Sequence, residues 1–425
     1  MTTTEDRGRY DRFRNEVMAG GSVAERPPEP EGGGFAGVLA GLVIIGLLVW
    51  LAFVNLWMFV FVMGILVSVA LHEFGHFATA RATGMKATQF FIGFGPRIWS
   101  FQRGETEYGV RALPLGAFVR IIGMNNMDEV PPADEARTYR QKSYPRRMLV
   151  ISAGSLMHLL IAIVLLFAVF STRGELVEGT GAEVGAVQSG GAAAAAGIES
   201  GDVLVSIGGS AIEDPDDLGE TVRSHEPGDV VDVVVQRDGE ELTVSARLGE
   251  NTDEDSPQFG SALLGVSSRT PTEWDEMSVG SAAVNSITDL GPVTWQSTKG
   301  VVEVLNPVNI IDHLSGESDD LSTRPTTVVG ITQVSGSVGE TQGFVGVLYL
   351  LAVLNVFVGV FNMFPLLPLD GGHAAVATYE RLRERDGRRY FADVSKLMPF
   401  AMGVIMVLLI LFVSGLYLDV TQPLR

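Results

Sequence analysis

Apolar residues run almost unbroken from Phe35 to Ala70, and three further apolar runs occupy about 148–170, 345–367 and 397–418. Crossing a bilayer takes about 20 mainly apolar residues. As one helix, rising about 1.5 Å per residue, the first run would be about 50 Å long, against a hydrocarbon thickness of about 30 Å. The pattern therefore predicts a break near Asn55 and two spans, at about 35–54 and 57–78; one long tilted helix is the alternative. A cleaved signal peptide fits poorly, because the run lacks a small-residue cleavage pattern and continues into more apolar sequence. Five spans are expected in all.

Between the third and fourth spans the pattern changes. Val203, Val205 and Ile207 alternate as a strand does, and Asp217 to Ser224 suits a short helix. Val230 to Val235 and Leu242 to Val244 read as strands joined by the turn Arg237-Asp238-Gly239. A small β-rich domain is expected over about 178–250. Asn251 to Pro257 reads as an acidic linker, and Val301 to Leu314 as an amphipathic piece near the membrane.

Charge sharpens the layout. The 425 residues carry 50 Asp and Glu against 30 Lys and Arg, net −20, yet 46% are hydrophobic and only 19% charged. Such a chain segregates its charge, which excludes a single ordinary soluble domain and a disordered chain. The acidic balance also argues against nucleic acid as a partner. Residues 171–345 hold seven basic residues against 30 acidic ones. Basic residues gather instead in the N-terminal tail (Arg7, Arg9, Arg12, Arg14, Arg26), between the second and third spans, and before the last span. The positive-inside rule makes those three segments cytoplasmic and 171–345 extracytoplasmic. Five spans with the N-terminus inside satisfy every assignment, whereas a single first helix would put the Arg-rich tail outside.

No cysteine is present, so disulfides, thiol nucleophiles and Cys-based metal sites are excluded, and any metal must sit on His, Asp or Glu. His72-Glu73-Phe74-Gly75-His76 is an H-E-x-x-H motif at the end of an apolar span. On a helix, residues i and i+4 share a face, so both imidazoles can reach one zinc while Glu73 is placed to take a proton from an attacking water. Ionisable groups at membrane depth are costly and usually functional. Zinc ordinarily takes three protein ligands, so a third is needed from another embedded segment. Asp370, in Asn362-Met363-Phe364-Pro365-Leu366-Leu367-Pro368-Leu369-Asp370-Gly371-Gly372-His373, ends a span predicted to run the same way as the His72/His76 span. Both sites then fall near the cytoplasmic side. A capping role for Asp370, or ligation by His373 instead, are the alternatives.

HEFGH in one span and NMFPLLPLDGGH in another resemble the site-2 protease family of intramembrane zinc metalloproteases. The A-G-I-x-x-G-D-V-L run at 196–204 resembles a PDZ domain, as in the bacterial branch that cleaves anti-sigma factors. The stretch from Arg81 to Met124 is similar to actinobacterial members. The resemblance implies a polytopic α-helical membrane protein with about five transmembrane helices, a membrane-associated β-hairpin and an extracytoplasmic β-rich PDZ domain. It implies Zn2+ on His72, His76 and Asp370, with Glu73 as general base. Asn362 matches the family asparagine expected to hold substrate or an oxyanion. The segments around Gly95 and around Gly116, Ala117 and Phe118 resemble the hairpin whose edge pairs with an extended substrate. One departure stands out: after Ala153-Gly154 the family often has Pro and then Asn three residues later, where this chain has Ser155 and His158. His158 is expected as a packing residue near the site; a polar contact to substrate, or an approach to the zinc, are the alternatives.

The implied organisation is a cytoplasmic tail (1–34), an extra transmembrane helix (35–56), a catalytic core (57–170), a PDZ-like domain (171–250), a linker with an amphipathic region (251–344) and the remaining core (345–425). The implied location is the plasma membrane and the implied substrate a single-span membrane protein such as an anti-sigma factor, cut after a first extracytoplasmic cleavage. The PDZ domain either binds peptide or only gates access. Clearance of signal-peptide remnants, or an idle PDZ scaffold, are the competing readings.

Overall fold

The computed structural model describes residues 35–124, 128–237, 239–253, 258–315, 323–385 and 389–423. The 1–34 tail, Asp238 of the expected turn and 254–257 of the expected linker lie outside the described residues. The chain forms two compact units: residues 173–278, and the remainder of the chain on either side.

Among the described residues, the larger unit has five helices long and apolar enough to cross a membrane: Phe35–Val54, Leu56–Ala82, Tyr144–Arg173, Val328–Asn362 and Met398–Thr421. The chain is a multi-pass membrane protein. The first two helices are separate, because Asn55 takes an extended backbone (φ −155°, ψ 112°) and caps the second. Its side-chain oxygen accepts from the amides of Trp57 and Met58 at 2.9 and 3.1 Å, which satisfies two of the helix's orphan donors.

The fourth span differs from its expected 345–367 range. Its helix starts at Val328, is interrupted by Gly343 (φ 68°, ψ −156°), and stops at Asn362. Residues 363–369 make a tight turn and a new helix, Asp370–Arg383, follows. Gly371 and Gly372 permit that turn: a Cβ on Gly371 would stand 2.1 Å from the Met363 carbonyl oxygen, and one on Gly372 2.5 Å from the Leu367 nitrogen. The expected amphipathic piece at Val301–Leu314 is two helices, Leu290–Val304 and Pro307–Ser315.

The segment between the second and third spans is a hairpin of two long strands, Ala87–Arg103 and Thr106–Ile121, and it is more folded than a plain hairpin. Gln89 to Ile92 pair with Ala117 to Arg120 and also with Glu107 to Val110, while Trp99 to Arg103 pair with Thr106 to Val110. The strands thus double back, and the Ala117–Ile121 end lies at a margin of the sheet. Phe118 stacks on Phe91 and Phe94, with ring centroids 5.5 and 5.9 Å apart.

In the smaller unit the sheet order is Val266–Arg269, Ala182–Val187, Val203–Ile207, Val230–Arg237, Glu240–Arg247, with Ser210–Ala211 also paired to Val203–Ile207. Val231, Val233 and Val235 point inward and their neighbours outward, the period-2 pattern read from the sequence. They pack with Val184, Leu204 and Ile207 and with Leu218 and Val222 of the helix Pro215–Arg223. Each buried aliphatic side chain contributes about 1.5–3 kcal/mol. The boundary at 250 is corrected: the outer strand Val266–Arg269 completes the sheet, and Thr272–Asp275 pairs with Glu175–Glu178. The unit therefore continues past the expected linker, and its far end is Ser278.

Candidate metal centre

The second span buries one face, with His72, Gly75, His76 and Ala80 on it. The 3.6-residue period stacks these positions. Gly75 lets the third span approach closely; a Cβ there would stand 2.7 Å from the Ala153 carbonyl oxygen. At the same crossing, a Cβ on Gly154 would stand 2.4 Å from His72 Cε1 and from His76 Nε2. Gly154 thus leaves the space the two imidazoles occupy.

His76 Nδ1 donates to the Val150 carbonyl oxygen at 2.7 Å. That bond fixes the tautomer and leaves Nε2 as a bare lone pair, the usual support for a ligating histidine. His76 Nε2 lies 3.2 Å from His72 Nε2 and 3.3 Å from Asp370 Oδ2, and His72 Nε2 lies 3.4 Å from Asp370 Oδ2. Among the described residues, these three side chains can offer one atom each to a common ion. Donors about 2.0–2.1 Å from a tetrahedral zinc stand about 3.3 Å from one another. The observed separations match that spacing. Asp370 Oδ2 is buried with no hydrogen-bond partner, as an oxygen reserved for a cation would be.

Asp370 opens its own helix rather than ending the apolar span, and the turn before it carries the carboxylate back to the imidazoles. His373 sits one turn further along that helix, with Nε2 buried and unpartnered, outside the converging group. Glu73, half-buried beside the histidines, accepts from the Val119 amide at 3.1 Å through Oε2. The sheet margin holding Ala117, Phe118 and Val119 is thereby brought to the centre. Gly116 (φ 153°) packs against the Phe94 ring. Gly95 (φ 78°) is on the exposed stretch of the hairpin, its carbonyl accepting from Arg111 Nη1 at 2.8 Å.

Asn362 is the last residue of its helix and half-buried. The sequence reading passed over Asn355, two turns earlier on the same face. Asn355 is 2% exposed; its oxygen lies 2.8 Å from His158 Nδ1 and its amide nitrogen donates to the Leu351 carbonyl at 2.7 Å. The signal was present, since a lone amide inside Leu350–Phe361 is costly in an apolar span. Gly154 offered none, because its role exists only where the second and third spans cross. His158 does not join the metal-binding group, but its ring centroid lies 4.9 Å from that of His72.

Comparison with known proteins agrees with this geometry. Residues 60–408 match Peptidase family M50. Zinc metalloprotease Rip1 of Mycobacterium tuberculosis is 32% identical over 397 residues, spanning 86% of this chain and 97% of the relative. Zinc metalloprotease Rip1 of Mycolicibacterium smegmatis is 33% identical over 405 residues, with the same coverage of 86% and 97%. Among solved structures, the PDZ domain of an SdrC-like protein from Listeria monocytogenes aligns with 22% of this chain and 90% of its own length, at 20% identity and TM-score 0.19.

Proposed function

The chain belongs to peptidase family M50 and is an intramembrane zinc metalloprotease, and we propose that it hydrolyses peptide bonds within the transmembrane segment of single-span proteins. His72, His76 and Asp370 would hold the zinc and Glu73 would be the general base. The convergence of three donor atoms at 3.2–3.4 Å, with Glu73 beside them, carries this reading.

Zinc, when bound, supplies Lewis acidity toward the scissile carbonyl and the attacking water. Glu73 takes the proton of that water and returns it to the leaving nitrogen, so the amide departs as a neutral amine. The Val119 amide engages Oε2 of Glu73 and leaves its other oxygen for the water. The substrate must unwind before it is cut, and its freed backbone groups need partners at membrane depth. The Ala117–Ile121 margin would offer them by strand addition, with Gly116 at its start and the buried Ala117 and Phe118 packing that strand against the hairpin. Asn362, at the end of its helix, would hold substrate or an oxyanion, and Gly95 would belong to the hairpin's support.

The positive-inside rule applied to the basic segments supports an N-terminus in the cytoplasm and a β-rich unit outside the plasma membrane. That unit, with its PDZ-type sequence run, would act on proteins already trimmed by a first cut, either by binding a new terminus or by excluding intact ectodomains. Anti-sigma factors are the proposed substrates.

The test uses purified protein in detergent, a single-span substrate and product mapping by mass spectrometry. Cleavage within the apolar segment, abolished by Glu73→Gln, is the expected result. Cleavage that persists in Glu73→Gln overturns the mechanism.

A further inference from the structure

His158 is buried in the third span and lies against His72, yet the metal-binding group does not include it. Its state is set by a chain of two hydrogen bonds. Asn355 donates its amide N–H to the Leu351 carbonyl at 2.7 Å, which turns its oxygen toward His158. That oxygen can only accept, so His158 Nδ1 carries the proton across the 2.8 Å contact. In the neutral ring Nε2 is then a bare acceptor. Gly359 lets the two spans approach closely at this residue: a Cβ there would stand 3.2 Å from His158 Cβ and 3.3 Å from the Ser155 carbonyl oxygen. Two spans thus cooperate to hold one imidazole, in one tautomer, beside the metal centre.

An unwound substrate brings main-chain N–H groups to this depth, and each needs an acceptor where water is scarce. A neutral imidazole nitrogen supplies one without adding charge next to the ion. Resting on the proteolytic reading above, we propose that His158 is a substrate-contacting residue: its Nε2 accepts a main-chain N–H of the unwound segment beside the scissile bond, with Asn355 fixing the tautomer that makes this possible.

Isosteric replacement separates this role from packing. Asparagine reproduces the Nδ1 side of the ring and lacks Nε2, whereas glutamine places a polar atom where Nε2 stands. The probe is a synthetic single-span peptide with an apolar segment of about 20 residues, offered to full-length protein in detergent. Binding is measured in the Glu73→Gln background, so that it does not depend on turnover, and cleavage in the native background. His158→Asn is expected to weaken peptide binding about tenfold and to lower kcat/KM at least as much, with zinc content and thermal unfolding temperature unchanged. His158→Gln should recover most of both. Equal affinity for all three proteins overturns the proposal, as does a loss of binding shared by both variants or accompanied by loss of zinc or of thermal stability. Failure of the native protein to cleave would count against the proteolytic reading, while the binding comparison still decides the role of His158.

Discussion

The Val119 main-chain amide donates to Glu73 Oε2 at 3.1 Å, joining the sheet margin to the acidic residue of the H-E-x-x-H motif. A carboxylate that shares one oxygen with a fixed donor cannot swing freely, so the strand orients Glu73, the proposed base. Val119→Pro removes that donor and also breaks the margin's pairing capacity. Cleavage should fall at least tenfold while bound zinc, measured by elemental analysis, stays near one per chain. Val119→Ala keeps the amide and should retain most activity.

Gly154 is the position where the third span must carry no side chain. A Cβ there would approach both imidazoles to 2.4–2.5 Å, distances no packed carbon tolerates. The neighbouring atoms are rings held by a buried helix face, so they have little freedom to retreat. Gly154→Ala should therefore lower zinc affinity by at least tenfold, and Gly154→Val should abolish binding. Zinc retention during dialysis against a chelator of graded concentration reads this directly. Chelation of the native protein should stop proteolysis, and added zinc should restore it.

These two positions mark what local sequence can and cannot disclose. The break at Asn55 was legible because an apolar run too long for the bilayer needs an interruption and a polar cap. His72, Glu73, His76 and Asp370 stood out because ionisable groups in apolar segments are rare. Gly154 and Asn355 act through contacts between helices far apart in sequence, and a glycine in a span has many ordinary reasons to be there. The outer strand Val266–Arg269 pairs with Ala182–Val187 about 80 residues away, so alternation alone ended the β-rich domain too early. The doubled pairing of Gln89 to Ile92 was hidden for the same reason: a strand's own pattern does not say how many neighbours it has.

The end of the last span is tied to the start of the fourth helix by one carboxylate. Asp419, fully buried, accepts from Thr327 N at 2.8 Å, Thr327 Oγ1 at 2.7 Å and Gly330 N at 3.0 Å, and Arg324 stands 3.6 Å away. It satisfies the first amides of that helix as a cap delivered from a neighbouring one. Asp419→Ala leaves those donors without an acceptor and removes the carboxylate beside buried Arg324, which keeps the Gln422 carbonyl at 2.8 Å. Removing one partner of a buried charge pair costs about 3–5 kcal/mol. Thermal unfolding in detergent should shift downward by several degrees, whereas Asp393→Ala, at an exposed pair with Lys396, should leave it nearly unchanged.

The β-rich unit carries its own acid sensitivity. Asp202 is 1% exposed and receives two hydrogen bonds from Arg237, Nε to Oδ1 at 2.6 Å and Nη2 to Oδ2 at 2.7 Å, and one from the Glu199 amide at 2.8 Å. The Arg237 hydrogen bonds, helped by the Glu199 amide, hold its carboxyl below the usual aspartate range despite burial. An unfolded aspartate titrates near pH 4. The folded unit therefore gains stability from this group above about pH 4 and loses it as pH falls through the lower folded value, where protonation breaks the Arg237 pair. Hydrogen exchange of residues 173–278 in the full chain should show protection of Val203–Ile207 and Val230–Arg237 falling as pH drops below about 4, after correction for intrinsic exchange. In Arg237→Gln the carboxyl loses its main partner, so protection should be lower at neutral pH and its further loss on acidification smaller. A native and a variant profile with the same acid dependence would show that another carboxylate governs the transition.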